Sequence, residues 1–486
     1  MSVYIGIDVG TSGVKVIAID EKAKLLASAT EEYPLYAPQS GWTQQDPADW
    51  WEGTKKACLT VMSKIDRTQI KAIGTTGQMH GMVCLGTNGE VLTPAILWND
   101  QRTAPQCERI VETVGGRDAL LELTNNPCLT GFTIGKVAWL KDNLPEIYGR
   151  TRTVFCPKDY IRYLLTGKVY TDVSEASGTG YFDVKNGKWS NELLSRIGLA
   201  EIITALPEVL ESTENAGSVT AEAEVLTGLP AGTPVAAGGG DAVISSVAMG
   251  IVGSDRLAVT LGTGGVVAQH IPAFAYNEGA KLQSSRACLP GMYHRMGVML
   301  AASGSNAWYK SLGSASFKEL DKSAETSQPG ANGVLFMPYI NGERCPVSKA
   351  DATGAFLGLT QRTVKADFDR AVLEGVAFGL KHVFEQMDAS ATTSLVLAGG
   401  GAVSPLWRQI VADVFNLPVI VLEAAGEGSS FGAAILAGLL DKAWESAEEI
   451  LYSLQPSASA APIAANTEVY AAAFGNYKKA AAWLLS

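Results

Sequence analysis

Tyr4-Ile-Gly-Ile-Asp-Val-Gly-Thr-Ser-Gly-Val-Lys15 has the same pattern as Leu257-Ala-Val-Thr-Leu-Gly-Thr-Gly-Gly-Val-Val-Ala268. Each stretch consists of an apolar strand, a Gly-Thr-x-Gly turn and a second apolar strand. Two hairpins of this kind, far apart in one chain, indicate an internal repeat. The repeat predicts two similar lobes, each built around one hairpin.

The length of the chain agrees with two lobes. It has 486 residues, and a single hydrophobic core stops growing near roughly 250–300 residues. After the first hairpin, Asp46-Pro47 predicts a helix start, and residues 71–75 predict a further strand. This order is typical of an α/β fold with a mixed sheet. We place the boundary just after the glycine run at 238–240, which gives lobes of 1–245 and 246–486.

Two further segments near the C-terminus carry structural predictions without chemistry. Residues 453–465 are rich in Ser, Ala and Pro, which predicts a linker or loop. Residues 467–485 have a moderately amphipathic pattern, which predicts a terminal helix.

Asp8 and the turn that follows it predict a site for a metal-bound phosphate. A carboxylate at a strand end can hold Mg²⁺ through water, and Gly10 permits close approach of the backbone. Thr11 and Ser12 add hydroxyl donors. A single Gly-Thr-Ser-Gly turn is also an ordinary β-turn.

The second copy of the turn, with Gly262 and Thr263, favours the functional interpretation. Two such turns facing across a cleft can clamp phosphates from both sides. A third glycine turn, at 399–401, follows an apolar strand and precedes a helix with Ser404 as its N-cap. Gly400 and Gly401 would let an adenosine lie on the backbone at the helix N-terminus. A plain β-α turn is the alternative, and no P-loop or complete Gly-x-Gly-x-x-Gly fingerprint occurs in the chain.

Asp241 follows the glycine run at 238–240. A carboxylate in this position can accept the proton of an attacking hydroxyl in phosphoryl transfer. It can equally serve as the N-cap of the small-residue helix predicted at 242–249. The residues by themselves leave both interpretations open.

His80 lies in Gly77-Gln-Met-His-Gly81, which follows a strand in the first half. The flanking glycines favour a ligand contact over a core histidine. Buried core histidines are nevertheless the usual case, so this segment alone decides little.

The composition excludes several classes of partner. The chain carries a net charge of −11, with a pI near 5.1, which argues against a nucleic-acid or anionic-membrane surface. No apolar stretch reaches membrane-spanning length, and no signal peptide is visible. Seven scattered cysteines without a Cys-x-x-Cys pair predict neither a disulfide framework nor a zinc site. We therefore expect a cytoplasmic protein.

Together these motifs resemble the sugar kinase/Hsp70/actin ATPase superfamily, and more narrowly the FGGY carbohydrate kinases over essentially the full chain. Two long segments carry the narrower resemblance. One runs from Gly131 through Lys136 and Trp139 to Asn143, and the other combines Gly354-x-Phe-x-Gly358-Leu359 with Asp367-Phe-x-x-Ala371-Val-Leu-Glu374. The resemblance implies two ribonuclease-H-like lobes around a central cleft.

Within this family the chain is most similar to xylulokinases, in segments that include 77–81, 95–102, 157–160 and 176–180. The resemblance implies Mg²⁺ and ATP as cofactors, with Asp8 as the metal-associated acid and Asp241 as the general base. It places Gln78, Met79, His80 and Trp98 near a ketopentose. It assigns ATP to both glycine-threonine turns and to the 400–404 segment, and it is compatible with a homodimer.

Three positions depart from the xylulokinase pattern. Ala242 stands where an Asn usually contacts the sugar, Gly264 replaces a common Ser, and Glu175 replaces a common Asp. A missing hydrogen-bond partner relaxes or redirects sugar choice. The resemblance implies phosphorylation of D-xylulose to D-xylulose 5-phosphate. Three alternatives stay open: a kinase for ribulose, L-xylulose or a glycerol-like polyol, an actin- or Hsp70-like ATPase, or a sugar-responsive pseudokinase.

Overall fold

The computed structural model describes residues 1–313, 316–387 and 389–486, except for the side chains of 424 and 425. The first half of the chain contains both strands and helices. Its strands are β1 (Val3–Val9), β2 (Gly13–Asp20), β3 (Leu25–Glu32), β4 (Gln44–Gln45), β5 (Ile70–Gly77), β6 (Val83–Leu85), β7 (Ala95–Ile96), β8 (Thr153–Phe155), β9 (Tyr170–Asp172), β10 (Phe182–Asp183), β11 (Lys188–Trp189), β12 (Glu208–Leu210), β13 (Asn215–Ser218), β14 (Pro234–Ala236) and β15 (Gly239–Gly240).

The helices of this half are α1 (Pro47–Met62), α2 (Ala104–Val114), α3 (Arg117–Thr124), α4 (Thr133–Asn143), α5 (Pro145–Arg150), α6 (Pro157–Thr166), α7 (Val173–Ser177), α8 (Asn191–Arg196), α9 (Ala221–Thr227) and α10 (Asp241–Ala248), with 3-10 turns at Arg67–Gln69 and Ala200–Ala205. Asp46 caps α1 as predicted, because its carboxylate accepts the Ala48 N–H at 2.9 Å.

The second half contains the strands β16 (Arg256–Leu261), β17 (Gly265–Ile271), β18 (Gln283–Arg286), β19 (Tyr293–Met299), β20 (Leu335–Met337), β21 (Ala355–Leu357), β22 (Ser394–Ala398), β23 (Val419–Leu422) and β24 (Pro456–Ala460). Its helices are α11 (Ser303–Ser311), α12 (Phe317–Ala324), α13 (Lys365–Phe384), α14 (Pro405–Phe415), α15 (Ser429–Leu440), α16 (Ala447–Ser453) and α17 (Ala464–Leu484), with 3-10 turns at Glu278–Ala280, Ala331–Gly333, Gly400–Val403 and Glu423–Glu427.

Two main sheets repeat one topology, which confirms the predicted α/β repeat. In the first sheet β1 pairs antiparallel with β2 and parallel with β5, and β14 pairs parallel with β5. In the second sheet β16 pairs antiparallel with β17 and parallel with β22, and β23 pairs parallel with β22. An antiparallel strand completes each order, β13 beside β14 and β24 beside β23. The chain therefore has two lobes, each with the hairpin at its centre.

The predicted linker at 453–465 is wrong in its central part. Residues 456–460 form β24, which pairs antiparallel with β23 at the edge of the second sheet. An edge strand tolerates Pro456 at its first position, because that end needs no N–H in the ladder. Small Ser and Ala side chains hide the usual strand signal, so only the pairing with β23 reveals it.

The terminal helix is confirmed, with bounds three residues earlier at its start and one at its end. Four side chains on one face of α17 are buried: Tyr470, Phe474, Tyr477 and Ala481. The Tyr470 hydroxyl donates to Glu374 on α13 at 2.8 Å, and the Arg370 guanidinium donates to it at 2.7 Å. The helix thus closes the core of the second lobe.

One helix of the second half packs on the first sheet. A Cβ on Gly74 of β5 would lie 1.9 Å from the Ala433 carbonyl oxygen, and one on Gly6 of β1 would lie 2.0 Å from that of Ser430. Gly432 makes a similar close contact with the Ile244 carbonyl of α10. The helices α10 and α15 therefore cross between the lobes at backbone contact distance. Among the described residues no helix is both long and apolar enough to cross a bilayer.

Candidate active site

Strand pairing in the first sheet brings several predicted site residues to one edge. Asp8 in β1 and Gly239 in β15 both pair with Thr76 of β5. Met79 follows the end of β5 by two residues, and Asp241 follows β15 directly. Because these strands are parallel, their carboxyl ends open on the same side of the sheet. Residues far apart in the chain therefore meet there.

Asp241 is the first residue of α10 and not its cap. Gly240 has the extended backbone of an N-cap, and the Asp241 carboxylate accepts the N–H of its own neighbour Ala242 at 2.7 Å. The capping alternative is wrong, because a glycine already turns the chain into the helix. Burial raises the pKa of Asp241 to about 7, and the nearby charge of Asp8 adds to that effect. A carboxyl group with this pKa can exchange a proton near neutral pH.

Asp8 is held by a residue from the opposite end of the chain. Its Oδ2 accepts the Ser429 hydroxyl at 2.5 Å, and Lys15 forms an ion pair with Glu427 at 2.7 Å beside it. Burial raises the pKa of Asp8, while Ser429 and the charge of Lys15 lower it. The Asp8 Oδ1 atom is buried and has no hydrogen-bond partner among the described residues.

These features fit a Mg²⁺ ion held through water. Carboxylate oxygen is the ligand that Mg²⁺ prefers, and the unpartnered Oδ1 of Asp8 offers one. Within the described ranges no group of three or more His, Cys, Asp or Glu residues forms a metal cage. Mg²⁺ commonly takes one or two carboxylates and completes its shell with water and substrate phosphate.

Thr11, Gln78 and Trp98 form one hydrogen-bonded chain. The Trp98 indole donates to the Thr11 hydroxyl at 3.0 Å, and that hydroxyl donates to the Gln78 side chain at 3.1 Å. The Gln78 amide donates to Gln45, which also accepts the Trp50 indole N–H. Gln78 is 1% exposed, so it holds the first hairpin turn from the protein interior through its contact with Thr11. Trp98, at 46% exposed, keeps a face toward solvent, and Ser12 is exposed at the tip of the turn.

His80 adopts a left-handed backbone conformation, with φ at 69°. Its carbonyl accepts the Lys136 ammonium at 2.5 Å and the Thr133 hydroxyl at 3.2 Å. Its ring Nδ1 lies 2.6 Å from the Gly178 carbonyl and must donate to it, since a carbonyl only accepts. Burial, with the charge of Lys136, lowers the His80 pKa to about 3. The imidazole is therefore neutral at pH 7, so its Nε2 can accept a hydrogen bond from a hydroxyl group.

A small cavity of about 20 Å³, room for about one water molecule, borders His80 and lies between the lobes. We call it the sugar-side cavity. Its lining includes residues of the first half and, from the second half, several polar side chains. The lining includes Met79, His80, Phe132, Gly178, Gln283 and Met296. The Phe132 ring lies 4.6 Å from the His80 ring, between centroids, and fixes its tilt.

The turn of the second hairpin is tied to the start of α11. The Thr263 carbonyl accepts N–H groups from Ala302 and Gly304, at 2.9 and 3.0 Å, and the Gly262 carbonyl accepts that of Ser303 at 2.8 Å. The Thr263 side chain stays exposed. The turn is thus rigid on one side and open on the other.

The glycine turn at 399–401 lies beside this hairpin turn. Gly399 has a φ of 90°, and a Cβ on it would lie 2.7 Å from the Leu261 carbonyl. A Cβ on Gly400 would meet no atom within 4 Å, so the backbone there faces open space. Ser404 caps α14, since its hydroxyl accepts the Trp407 N–H at 3.1 Å. The open backbone at Gly400 and the neighbouring helix start fit a nucleotide.

A buried ion cluster supports the Asp241 loop from below. We define it as Lys158, Asp159, Arg162 and Asp172. Lys158 lies 2.6 Å from Asp159 and 2.8 Å from Asp172, and all three are almost fully buried. Asp172 also accepts the Ser174 hydroxyl at 2.5 Å, and Ser174 in turn accepts the Gly240 N–H at 3.0 Å. Gly240 directly precedes Asp241, so this chain of contacts fixes the loop.

The sequence did not single out several of these positions. Ser429 has no motif, and its contact with Asp8 spans 421 residues. Lys136 belongs to one of the family-like segments, but nothing in that pattern indicates that it holds the His80 carbonyl. Gln45, Phe132 and Ser174 act through long-range contacts, which periodicity does not reveal.

Two family models match most of the chain. Residues 3–248 match the N-terminal domain of the FGGY family of carbohydrate kinases, and residues 257–440 match its C-terminal domain. The chain is 36% identical to a xylulose kinase of Bacillus subtilis (strain 168), over 98% of this chain and 96% of that protein.

Solved structures from Lactobacillus acidophilus have the same fold. A ligand-bound xylulose kinase has a TM-score of 0.93 at 26% identity, covering 100% of this chain and 99% of that one. A gluconate kinase has the same TM-score and identity, covering 100% and 98%. The overall fold therefore does not distinguish a xylulose kinase from a gluconate kinase.

Proposed function

Because this chain belongs to the FGGY family of carbohydrate kinases, we propose that it phosphorylates D-xylulose to D-xylulose 5-phosphate with ATP. The family membership makes the chain a sugar kinase. The observation that carries the mechanism is the position of Asp8 and Asp241 at one sheet edge, with His80 three residues beyond the end of β5 at the same edge. Similarity to xylulose kinases supports the choice of sugar.

We assign the proton transfer to Asp241. In its ionised form the carboxylate takes the proton of the terminal sugar hydroxyl, whose oxygen then attacks the γ-phosphorus in line with departing ADP. The pKa near 7 makes Asp241 a stronger base than an ordinary Asp while leaving much of it ionised at neutral pH. The contact of its carboxylate with the Ala242 N–H holds it in place.

The sugar is held mainly by the first lobe. Neutral His80 offers Nε2 as an acceptor for one sugar hydroxyl, and its ring cannot rotate away because Gly178 and Phe132 hold it. Met79 borders the same cavity. Trp98 borders the first hairpin turn, to which it is hydrogen-bonded. Lobe closure would exclude water, which competes as phosphoryl acceptor.

ATP is assigned to both hairpin turns and to the third glycine turn. The backbone N–H groups of both turns, at Thr11 and Ser12 in the first lobe and at Gly262 and Thr263 in the second, would donate to the phosphates, since the Thr11 hydroxyl already donates to Gln78. Gly400, Gly401 and the start of α14 at Ser404 would carry the adenosine. Mg²⁺ next to Asp8, when bound, neutralises charge on the phosphates. This gives the first lobe, 1–245, the sugar and first phosphate site, and the second lobe, 246–486, the remainder.

The acceptor is the least constrained part of the proposal. Ala242 stands where xylulokinases usually carry an Asn that contacts the sugar, and the gluconate kinase fold is equally similar. Another ketose or a polyol is therefore the second candidate. Seven free cysteines agree with a reducing, cytoplasmic setting, and a homodimer stays a prediction.

An ADP-release assay against ketoses, aldoses, polyols and gluconate tests the acceptor. We expect the highest kcat/KM with D-xylulose. Preference for another acceptor would contradict D-xylulose as the substrate but not the proposed phosphoryl transfer. ADP release that does not depend on a sugar would contradict kinase activity.

The variant Asp241→Ala tests the base. We expect a loss of turnover of about a thousandfold or more, with ATP binding by calorimetry unchanged. The matched control is Asp351→Ala, at an exposed Asp outside the site. Near-normal turnover of Asp241→Ala would remove Asp241 as the base.

A further inference from the structure

A second, larger cavity lies between the lobes next to the sugar-side cavity. We call it the cationic cavity. Its volume is about 400 Å³, within the range of small-molecule sites, roughly 300–1,000 Å³. The first half lines it with Val111, Arg117, Leu120 and residues 127–129, and the second half with residues 279–283, 296–298 and 344–348. Both lobes therefore contribute to its wall.

The charge of the lining is one-sided. Arg117, Lys281 and Arg344 are its charged residues, and the lining contains no Asp or Glu. Among the described residues none of these three side chains forms an ion pair or a side-chain hydrogen bond. The sequence neighbour Glu343 is not part of the lining, and its carboxylate accepts the backbone N–H groups of Leu300 and Arg344. Its charge attracts that of Arg344, but burial raises the pKa of Glu343 to about 7, so Glu343 offsets the charge of Arg344 only in part.

This concentration of positive charge is unusual for the chain, which has a net charge of −11. Three like charges around one cavity repel one another, and nothing in the lining offsets that repulsion. An anion bound in the cavity would offset this repulsion. The guanidinium groups of Arg117 and Arg344 suit a phosphate in particular, since each can donate two parallel hydrogen bonds to it.

The cationic cavity adjoins the sugar-side cavity. Gln283 and Met296 line both cavities, and the charge of Arg344 is among the causes that lower the His80 pKa. The glycine-threonine turns and Asp241 are absent from its lining. It is therefore a neighbour of the catalytic site and separate from the proposed ATP phosphate positions.

We propose that the cationic cavity binds a phosphate monoester of a small sugar or polyol. The phosphate lies among Arg117, Lys281 and Arg344, and the polyol part contacts Gln283, Ser348 and the backbone of the lining. Because both lobes contribute charges, the ligand bridges them and stabilises their observed arrangement. This goes beyond the proposed function, and its binding requires no turnover.

Isothermal titration calorimetry of the full chain with glucose 6-phosphate, without nucleotide or acceptor sugar, tests this site. We expect one ligand per chain, affinity that falls with ionic strength, and no binding of glucose. Arg117→Gln and Lys281→Gln should each weaken binding about tenfold, the usual effect of losing a charged hydrogen bond. The matched control Arg362→Gln, an exposed Arg outside the cavity, should bind like the unaltered chain.

Three outcomes would overturn the proposal. One is equal affinity in Arg117→Gln, Lys281→Gln and the control. Another is binding that persists in both variants but is lost in His80→Asn, since this would place the ester at the proposed sugar site. The third is tight binding of citrate with none of the ester, which would assign the cavity to a tricarboxylate. Unchanged basal turnover in Lys281→Gln, measured in parallel, keeps this result separate from the test of the proposed kinase activity.

Discussion

At the scale of single residues, the two carboxyl groups of Asp8 and Asp241 influence each other. They lie at one sheet edge, and the charge of Asp8 is among the causes that raise the Asp241 pKa. Burial raises the pKa of Asp8 as well, and the Ser429 hydroxyl and the charge of Lys15 oppose that rise. One carboxylate thus suits a metal ion and the other suits a base.

The Asp241 pKa predicts the pH dependence of the reaction. As the proposed base, Asp241 must be ionised to accept a proton, so we expect activity above its pKa and its loss as the pH falls through about 7. We expect kcat/KM for the sugar to fall tenfold per pH unit below that midpoint. Steady-state rates between pH 5 and 9 check this. A midpoint near 4, as for an ordinary Asp, would contradict it.

Ser174 is predicted to position the base through Gly240. In Ser174→Ala the Gly240 N–H loses its acceptor in a buried environment, which costs about 1–3 kcal/mol. We expect kcat to fall about tenfold while KM for ATP stays constant. The control Ser305→Ala removes an equally buried hydroxyl in the second lobe. If both variants lose stability and neither loses kcat, Ser174 has a structural role only.

At the scale of elements, the crossing of α15 over the first sheet depends on glycine. Gly6 and Gly74 lie where any Cβ would overlap the backbone of α15. Backbone contact at this distance fixes the helix to the strands that carry Asp8 and lead to Met79. The same helix begins at Ser429, so its position also determines the contact with Asp8.

The variant Gly74→Ala tests this packing. Its Cβ would lie 1.9 Å from the Ala433 carbonyl oxygen, so strand and helix must separate, and we expect a loss of about 2–4 kcal/mol in unfolding free energy. Gly475→Ala is the control, since no atom lies within 4 Å of its added Cβ in the interior of α17. That variant should gain about 0.5–1 kcal/mol. Denaturant titration measures both, and equal stabilities would contradict the packing argument.

At the scale of the whole molecule, one buried cluster joins the two halves of the chain. It contains Tyr4, Ile17 and Ala72 of the first half together with Phe431, Ile435 and Leu436 of the second, and all of them are at most 1% exposed. The matched family domains, 3–248 and 257–440, therefore share a core. The boundary between the two family domains in the sequence therefore does not separate two independent hydrophobic cores.

We accordingly expect the fragment 1–253 not to fold by itself. Without α15 it exposes the apolar face that Phe431, Ile435 and Leu436 cover, and each such side chain contributes about 1.5–3 kcal/mol. Circular dichroism should show no cooperative thermal transition. A fusion in which residues 427–455 follow the fragment through a flexible linker should restore one. A fragment that melts cooperatively without this addition would contradict the shared core.

The sequence alone determined the repeat and its consequences. The paired hairpins predicted two lobes, because alternation and a Gly-Thr-x-Gly turn are local properties. The sequence also predicted the helix starts at Asp46-Pro47 and Ser404-Pro405, since a capping side chain contacts the backbone within three residues. The segment around β24 was missed because its small side chains give no local signal, and the interpretation of Asp241 as a cap failed because Gly240 occupies that place.

Only the tertiary structure decided what surrounds those motifs. The ionisation of Asp241 depends on burial and on Asp8, which lies 233 positions earlier. The contact of Ser429 with Asp8, the support of Gly240 by Ser174, and the joint lining of the cationic cavity all join distant segments. Local pattern fixes turns and strands because their energetics are local, whereas pKa values, cavities and shared cores arise from groups that only folding brings together.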